Sequence, residues 1–226
     1  MELVGLAAVL AVVGLVIATA MRKARARAAA RAQTLADSGF RACDAEAERL
    51  RAIASELRDV PRLALRKPWK CATPNGSIYW YEVSEPTGAD EQRHAADEFL
   101  CSLARRSKQP FVLYLAPPGL GNGFGAKVIK TFIRGGAPAG LQEIAVQRSE
   151  RTEHILAAFG PRGAALGDVL DDDQLAQLAQ GARHGVFAIR GRDDHCALEL
   201  YGEHARRGLG PVAWEDCLAF VRKIAV

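Results

Sequence analysis

The chain opens on its longest apolar stretch. From Leu3 to Met21 every residue is Leu, Val, Ile, Ala, Gly, Thr or Met, and none is charged. As a helix this run is about 28 Å long, close to the thickness of a bilayer's hydrocarbon core. Buried helices of soluble proteins are usually shorter and amphipathic. Ala18-Thr19-Ala20 fits a small-x-small cleavage pattern, which keeps a released or tethered periplasmic domain as an alternative. A signal peptide, however, wants its positive charges ahead of the apolar run. Here Glu2 precedes the run, and Arg22, Lys23, Arg25, Arg27 and Arg31 follow it. The sequence therefore predicts an uncleaved transmembrane anchor over 1–21. The N-terminus is expected outside and the bulk of the chain in the cytoplasm. Residues 22–38 are mostly Ala and Arg, strong helix formers, so the helix is expected to continue to about Asp37 as a basic stalk. Gly39 is the expected terminator.

Beyond the stalk the periodicity changes element by element. Phe40 to Ala42 reads as a short strand. Asp44 to Leu57 reads as a helix, with Leu50, Ile53, Ala54 and Leu57 on one face. Ala64–Ala72 and Ser77–Val83 read as a hairpin across Thr73-Pro74-Asn75-Gly76, a strong turn signal. Asp90 to Arg106 is expected to be a helix, with Ala96, Phe99, Leu100 and Leu103 as its stripe. Phe111 to Leu115 is a short apolar strand, followed by a glycine-rich loop and a short helix over Lys127–Arg134. Leu141 to Gln147 reads as a strand and Arg151 to Phe159 as a helix. Asp171-Asp172-Asp173 opens a helix carrying Leu175, Leu178 and Ala179. Val186–Arg190 and Cys196–Tyr201 are strands across a Gly191–Asp194 turn. A final helix follows Pro211, with Ala213, Cys217, Phe220 and Ile224 on one face. The pattern predicts an α+β domain over residues 39–226, with a mainly antiparallel sheet and flanking helices.

Charge sharpens the topology rather than the chemistry. The net charge is +4, from 30 Lys and Arg against 26 Asp and Glu. Residues 22–70 hold 13 basic and 6 acidic residues, hence +7; residues 71–226 hold 17 and 19, hence −2; Glu2 supplies the remaining −1. The basic excess lies beside the predicted span, where it reads as topogenic and membrane-surface charge. No aromatic residue is interleaved among the basic residues from Arg22 to Arg31, so nucleic acid is not an expected partner. The cysteines, Cys43, Cys71, Cys101, Cys196 and Cys217, are odd in number and lack CxxC spacing. That suits a reducing compartment better than a disulfide framework.

The most distinctive local motif is Gly119, Gly121, Gly123 and Gly125 with Lys127, placed between a strand and a possible helix. Such a loop can turn backbone N–H groups toward phosphate. It departs from the P-loop, since Ala126 stands where Lys should follow Gly125, and from the dinucleotide fingerprint in its spacing. A plain surface loop is the simpler reading. His195 and Cys196 are adjacent, but neighbours on a strand point to opposite faces. His184, His195 and His204 converge only if the fold brings them together. Asp171 to Asp173 reads more simply as a helix cap than as a cation site. Trp69, Trp80, Trp214, Tyr79 and Tyr81 read as packing residues. No catalytic motif appears, and no cofactor or metal is expected.

The layout resembles a group of functionally uncharacterised bacterial single-span membrane proteins. The residues that carry the likeness are Leu35-Ala-Asp-Ser-Gly-Phe40 after the stalk, Glu143-Ile-Ala-Val-Gln-Arg-Ser149, the stretch through Ile155-Leu156, and the hairpin-plus-helix ending. The resemblance implies an inner-membrane location and an α+β domain, and it implies no catalytic residues. The function expected from the sequence is a membrane-anchored module whose domain binds a protein partner. The alternatives are a nucleotide- or phosphate-binding protein or enzyme using the glycine loop, and a periplasmic tethered domain.

Overall fold

A computed structural model describes residues 2–74, 76–87, 92–103, 107, 109–116, 129, 131, 133, 140–147, 149–201 and 214–225. For residues 2–14, 16, 17, 24, 27, 85–87, 92–95 and 214 it describes the backbone only. The chain divides into two compact units, Met1–Phe40 and Arg41–Val226.

The first unit is one continuous helix, α1 (Glu2–Asp37). Its end follows the expected chemistry: Gly39 takes a φ of 86°, which only glycine adopts freely, and its N–H donates to the Ala36 carbonyl at 3.0 Å. Among the described residues no helix is long and apolar enough to cross a membrane. The side chains of residues 2–14, 16 and 17, which make up most of the expected span, lie outside the described residues.

The second unit is built on one nine-stranded sheet in the order β1-β2-β3-β4-β9-β8-β5-β7-β6. The strands are β1 (Arg41–Ala42), β2 (Ala64–Thr73), β3 (Gly76–Thr87), β4 (Gln92–Ser102), β5 (Phe111–Leu115), β6 (Leu141–Ile144), β7 (Ile155–Pro161), β8 (Val186–Arg192) and β9 (His195–Leu200). Every described pairing is antiparallel. The helices are α2 (Ala47–Arg58), α3 (Leu166–Val169), α4 (Asp172–Ala179) and α5 (Trp214–Ile224). Short 3-10 turns precede α2 at Asp44–Glu46 and follow α4 at Gln180–His184.

Two expected helices are strands. Asp90–Arg106 is replaced by β4, and Arg151–Phe159 by a turn leading into β7. The reason is the same in both. Each strand lies inside the sheet and is covered on both faces, so its sequence is a continuous apolar run (Phe99-Leu100-Cys101; Ala157-Ala158-Phe159) without a clean alternation. Phe99 and Leu100, which belong to the expected helical stripe, are buried on opposite faces of β4. The expected strand Leu141–Gln147 ends early, at Ile144. Residues 129, 131 and 133 are helical, as expected for Lys127–Arg134; the rest of that segment lies outside the described residues. The same is true of Pro211 and Ala213.

One face of the sheet carries Tyr79, Tyr81, Val83, Leu100 and Ala197, which pack with Leu50, Ala54 and Leu57 of α2. Farther along the same face, Val112, Tyr114, Ala157, Phe159 and Ala188 form a second apolar cluster with Ile133. Between them lies a buried charge network. Arg58, the last residue of α2, donates to Glu98 through Nε at 2.9 Å and again through a guanidinium nitrogen, and to Glu199 at 3.0 Å. Arg190 donates to Glu199 at 2.7 Å, and the Tyr81 hydroxyl donates to Glu98 at 2.6 Å. All five residues are buried. Burial, and then the Glu98 charge, push the Tyr81 phenol well above its ordinary range, so it remains a donor. The opposite face carries Ile78, Trp80, Phe99 and Leu198. Phe111 lies over Gly191, its cross-strand partner, where any Cβ would overlap the ring.

Two stability predictions follow from these contacts. Glu98→Ala leaves Arg58 facing a lost partner in a dry site, and urea denaturation is expected to show a loss of about 3–5 kcal/mol. A loss below about 1 kcal/mol would mean that the network is dispensable. Gly191→Ala is expected to cost about 1–3 kcal/mol through displacement of the Phe111 ring, read as a lowered urea midpoint.

Candidate functional site

Strand register places a set of polar side chains under the N-terminal half of α2. Lys70 pairs with Tyr79, Tyr79 with Leu100, and Leu100 with Ala197. Side chains two residues on share the same face. Ala72 there pairs with Ser77, and Ser102 pairs with His195. The floor thus runs from Lys70 and Tyr79 through Leu100 to the row of Ser77, Ser102 and His195. Arg49 and Ile53 of α2 complete the walls of this partly open pocket, which measures about 320 Å3. That is within the range of small-ligand pockets.

Its charge is set by Glu46, in the turn that leads into α2. This carboxylate accepts from Lys70 Nζ at 2.8 Å and from the Tyr79 hydroxyl at 2.8 Å, with Arg49 at 3.6 Å. The hydrogen bonds from Lys70 and Tyr79 hold the Glu46 carboxyl below its usual range, and the bond to Glu46 raises the Lys70 amine. Lys70 also lies 5.5 Å from the centre of the Tyr79 ring. Arg49 and Lys70 against one Glu46 leave a single positive surplus at the pocket. No carboxylate is among the residues that line it. The Ser77 and Ser102 hydroxyls and the His195 ring add further hydrogen-bonding groups. Such a site can hold an anionic group and orient it by hydrogen bonds.

A larger cleft, about 880 Å3, lies between the start of β7, α4 and α5. Its charges cancel: Arg151, Arg183 and Lys223 face Glu150, Glu153 and Asp173. Within it Arg183 Nε donates to His154 Nε2 at 3.3 Å, and Glu153 lies 3.3 Å from the same nitrogen. With no surplus charge, this cleft has less to select an ion.

The residues singled out from sequence fall in several places. Gly119, Gly121, Gly123, Gly125 and Lys127 lie outside the described residues. Arg22, Lys23 and Arg25 are exposed on α1, Arg31 is half-buried, and the Arg27 side chain is outside the described residues. The described histidines stay apart: His154 lies in the cleft, His184 stacks on Phe220 at 5.0 Å, and His195 lines the pocket. His184 is held below its usual range by burial. His94 (side chain) and His204 lie outside the described residues. Cys196 is fully buried beside its cross-strand partner Cys101. Hydrogen bonding to Cys101, and then burial, push the Cys196 thiol well above its usual range. Burial pushes the Cys43 thiol up to about 11. Asp171 caps α4, its carboxylate accepting from the Gln174 N–H at 2.7 Å. Among the described residues no three His, Cys, Asp or Glu side chains converge as metal ligands.

Sequence reasoning missed the roles of Arg49, Lys70, Ser77 and Ser102. The Asn-Gly turn already places Lys70 opposite Tyr79, but reading β4 as a helix removed Leu100 and Ser102 from the sheet. No protein-family model, curated protein or solved structure matches the chain.

The Glu46 contacts carry a pH signature. A carboxyl held below its unfolded value contributes stability that is present above about pH 4.5 and is lost as pH falls through the folded value. Carbon-detected NMR titration is expected to show Glu46 ionising below the ordinary glutamate range. In Lys70→Met it should move back toward that range, and an unchanged titration there would show that Lys70 does not hold it.

Proposed function

We propose that this protein is a single-pass, membrane-anchored binding module whose α+β domain holds an anionic ligand in the pocket under α2. The observation that carries the binding part is the convergence of Arg49, Lys70 and His195, from α2, β2 and β9, on one cavity. The anchoring part is supported by the sequence: an uncharged run joins five basic residues without an intervening acid, Arg22 to Arg31. It is also supported by the exposure of Leu15 (69%) and Met21 (51%), two large apolar side chains on the helix that continues into the stalk. A bilayer would cover such side chains, and basic residues at its surface gain up to about 1 kcal/mol each beside anionic headgroups.

A second reading, a scaffold that binds another protein, is favoured by β6. It ends the sheet, pairs with β7 alone among the described residues, and exposes Gln142 and Glu143. A strand at the end of a sheet can add a strand from a partner.

The anchor is tested by carbonate extraction of membranes and by reporters fused after Val226. The expected result is retention in the membrane pellet with a fluorescent GFP fusion. Extraction into the supernatant removes the anchor, and active alkaline phosphatase reverses the orientation. The pocket is tested by NMR shift mapping of the full chain in a neutral detergent against sulfate, phosphate and benzoate. Shifts centred on Lys70, Ser102 and His195 are expected, and their absence with all three anions rejects the binding reading.

A further inference from the structure

Resting on the reading of this pocket as an anion site, we propose that its ligand is a phosphate monoester with a small apolar substituent. The donors decide between anions. Arg49 offers a guanidinium fork and Lys70 an ammonium with N–H groups left over from its bond to Glu46. The Ser77 and Ser102 hydroxyls and the His195 ring line the same cavity, and all three side chains are half-buried. A carboxylate has two oxygens to satisfy five donor groups on five elements; a phosphate monoester has three terminal oxygens arranged in three dimensions. The floor row spreads its donors across adjacent strands about 5 Å apart, which suits a tetrahedral group better than a planar one.

The volume points to the substituent. A bare phosphate fills only part of a cavity of about 320 Å3. The remaining wall is apolar, formed by Ile53, Leu100 and the Tyr79 ring. A compact organic group bonded to the phosphate covers that wall and keeps water out, which strengthens the ionic contacts. A soluble metabolite and the headgroup of phosphatidic acid share this chemistry.

The test uses the full chain in a neutral detergent, with calorimetric titration of phenyl phosphate, inorganic phosphate and benzoate. Phenyl phosphate is expected to bind about tenfold more tightly than either of the others. Ser77→Ala and Ser102→Ala leave the cations in place; each is expected to weaken phenyl phosphate about tenfold and benzoate hardly at all. Lys70→Met should weaken every anion, with circular dichroism confirming that the domain is folded. If no anion binds, the pocket reading itself fails. If benzoate binds as tightly as phenyl phosphate and the serine variants change nothing, the pocket remains an anion site and the phosphate assignment is overturned. In phosphatidylcholine nanodiscs, displacement of phenyl phosphate by added phosphatidic acid supports the proposal with a lipid source. Phenyl phosphate binding that phosphatidic acid leaves unchanged supports it with a soluble source.

Discussion

The buried ion network among Arg58, Glu98, Glu199 and Arg190 is the constraint around which the domain is arranged. Two guanidinium groups and two carboxylates cancel in formal charge, but each was costly to take out of water. They are tolerated because the partners come from α2, β4, β9 and β8 and because Tyr81 supplies a further hydrogen bond to Glu98. A shift of one residue in the register of β4 against β9 would turn Glu98 or Glu199 to the other face and leave an arginine unpaired. The network therefore selects one register among those that the apolar residues alone would allow.

It also ties the candidate site to the core. Arg58 holds the C-terminal end of α2 to the sheet, while Arg49, on the same helix, roofs the pocket. Glu98 and Leu100 stand on the same face of β4, so the strand that satisfies the arginine also forms the pocket floor. The pocket is a gap between elements that the ion network already fixes, which is the arrangement expected of a preorganised site.

The parts of the fold that sequence discloses are those with local chemistry. The Asn-Gly hairpin of β2 and β3, the Asp171 cap of α4, the apolar face of α2 and the glycine after α1 each require only a few neighbouring residues. The interior strands β4 and β7 were not legible, because a strand covered on both sides has no period of its own. Glu98 shows the limit well. In sequence it is an acidic residue on the polar side of an apparent helical stripe. In the fold it is fully buried, and its justification lies 40 residues away at Arg58. The pocket was hidden for the same reason, since Arg49, Lys70 and His195 meet only when β9 is laid beside β4.

That placement of β9 has a consequence for how the chain is made. Strands β1 to β4 form a meander that can pair as soon as it leaves the ribosome. β4 then waits, since its other neighbour is the last strand, and β5 likewise waits for β8. Until the hairpin of β8 and β9 is synthesised, both halves of the sheet present a raw inner edge, and Arg58 lacks its contact with Glu199. Long-range pairing of this kind slows folding and leaves strand edges open to other chains. A tether that holds each nascent domain apart from its copies would lessen that exposure, so an anchor at the N-terminus would serve assembly of the fold as well as its location.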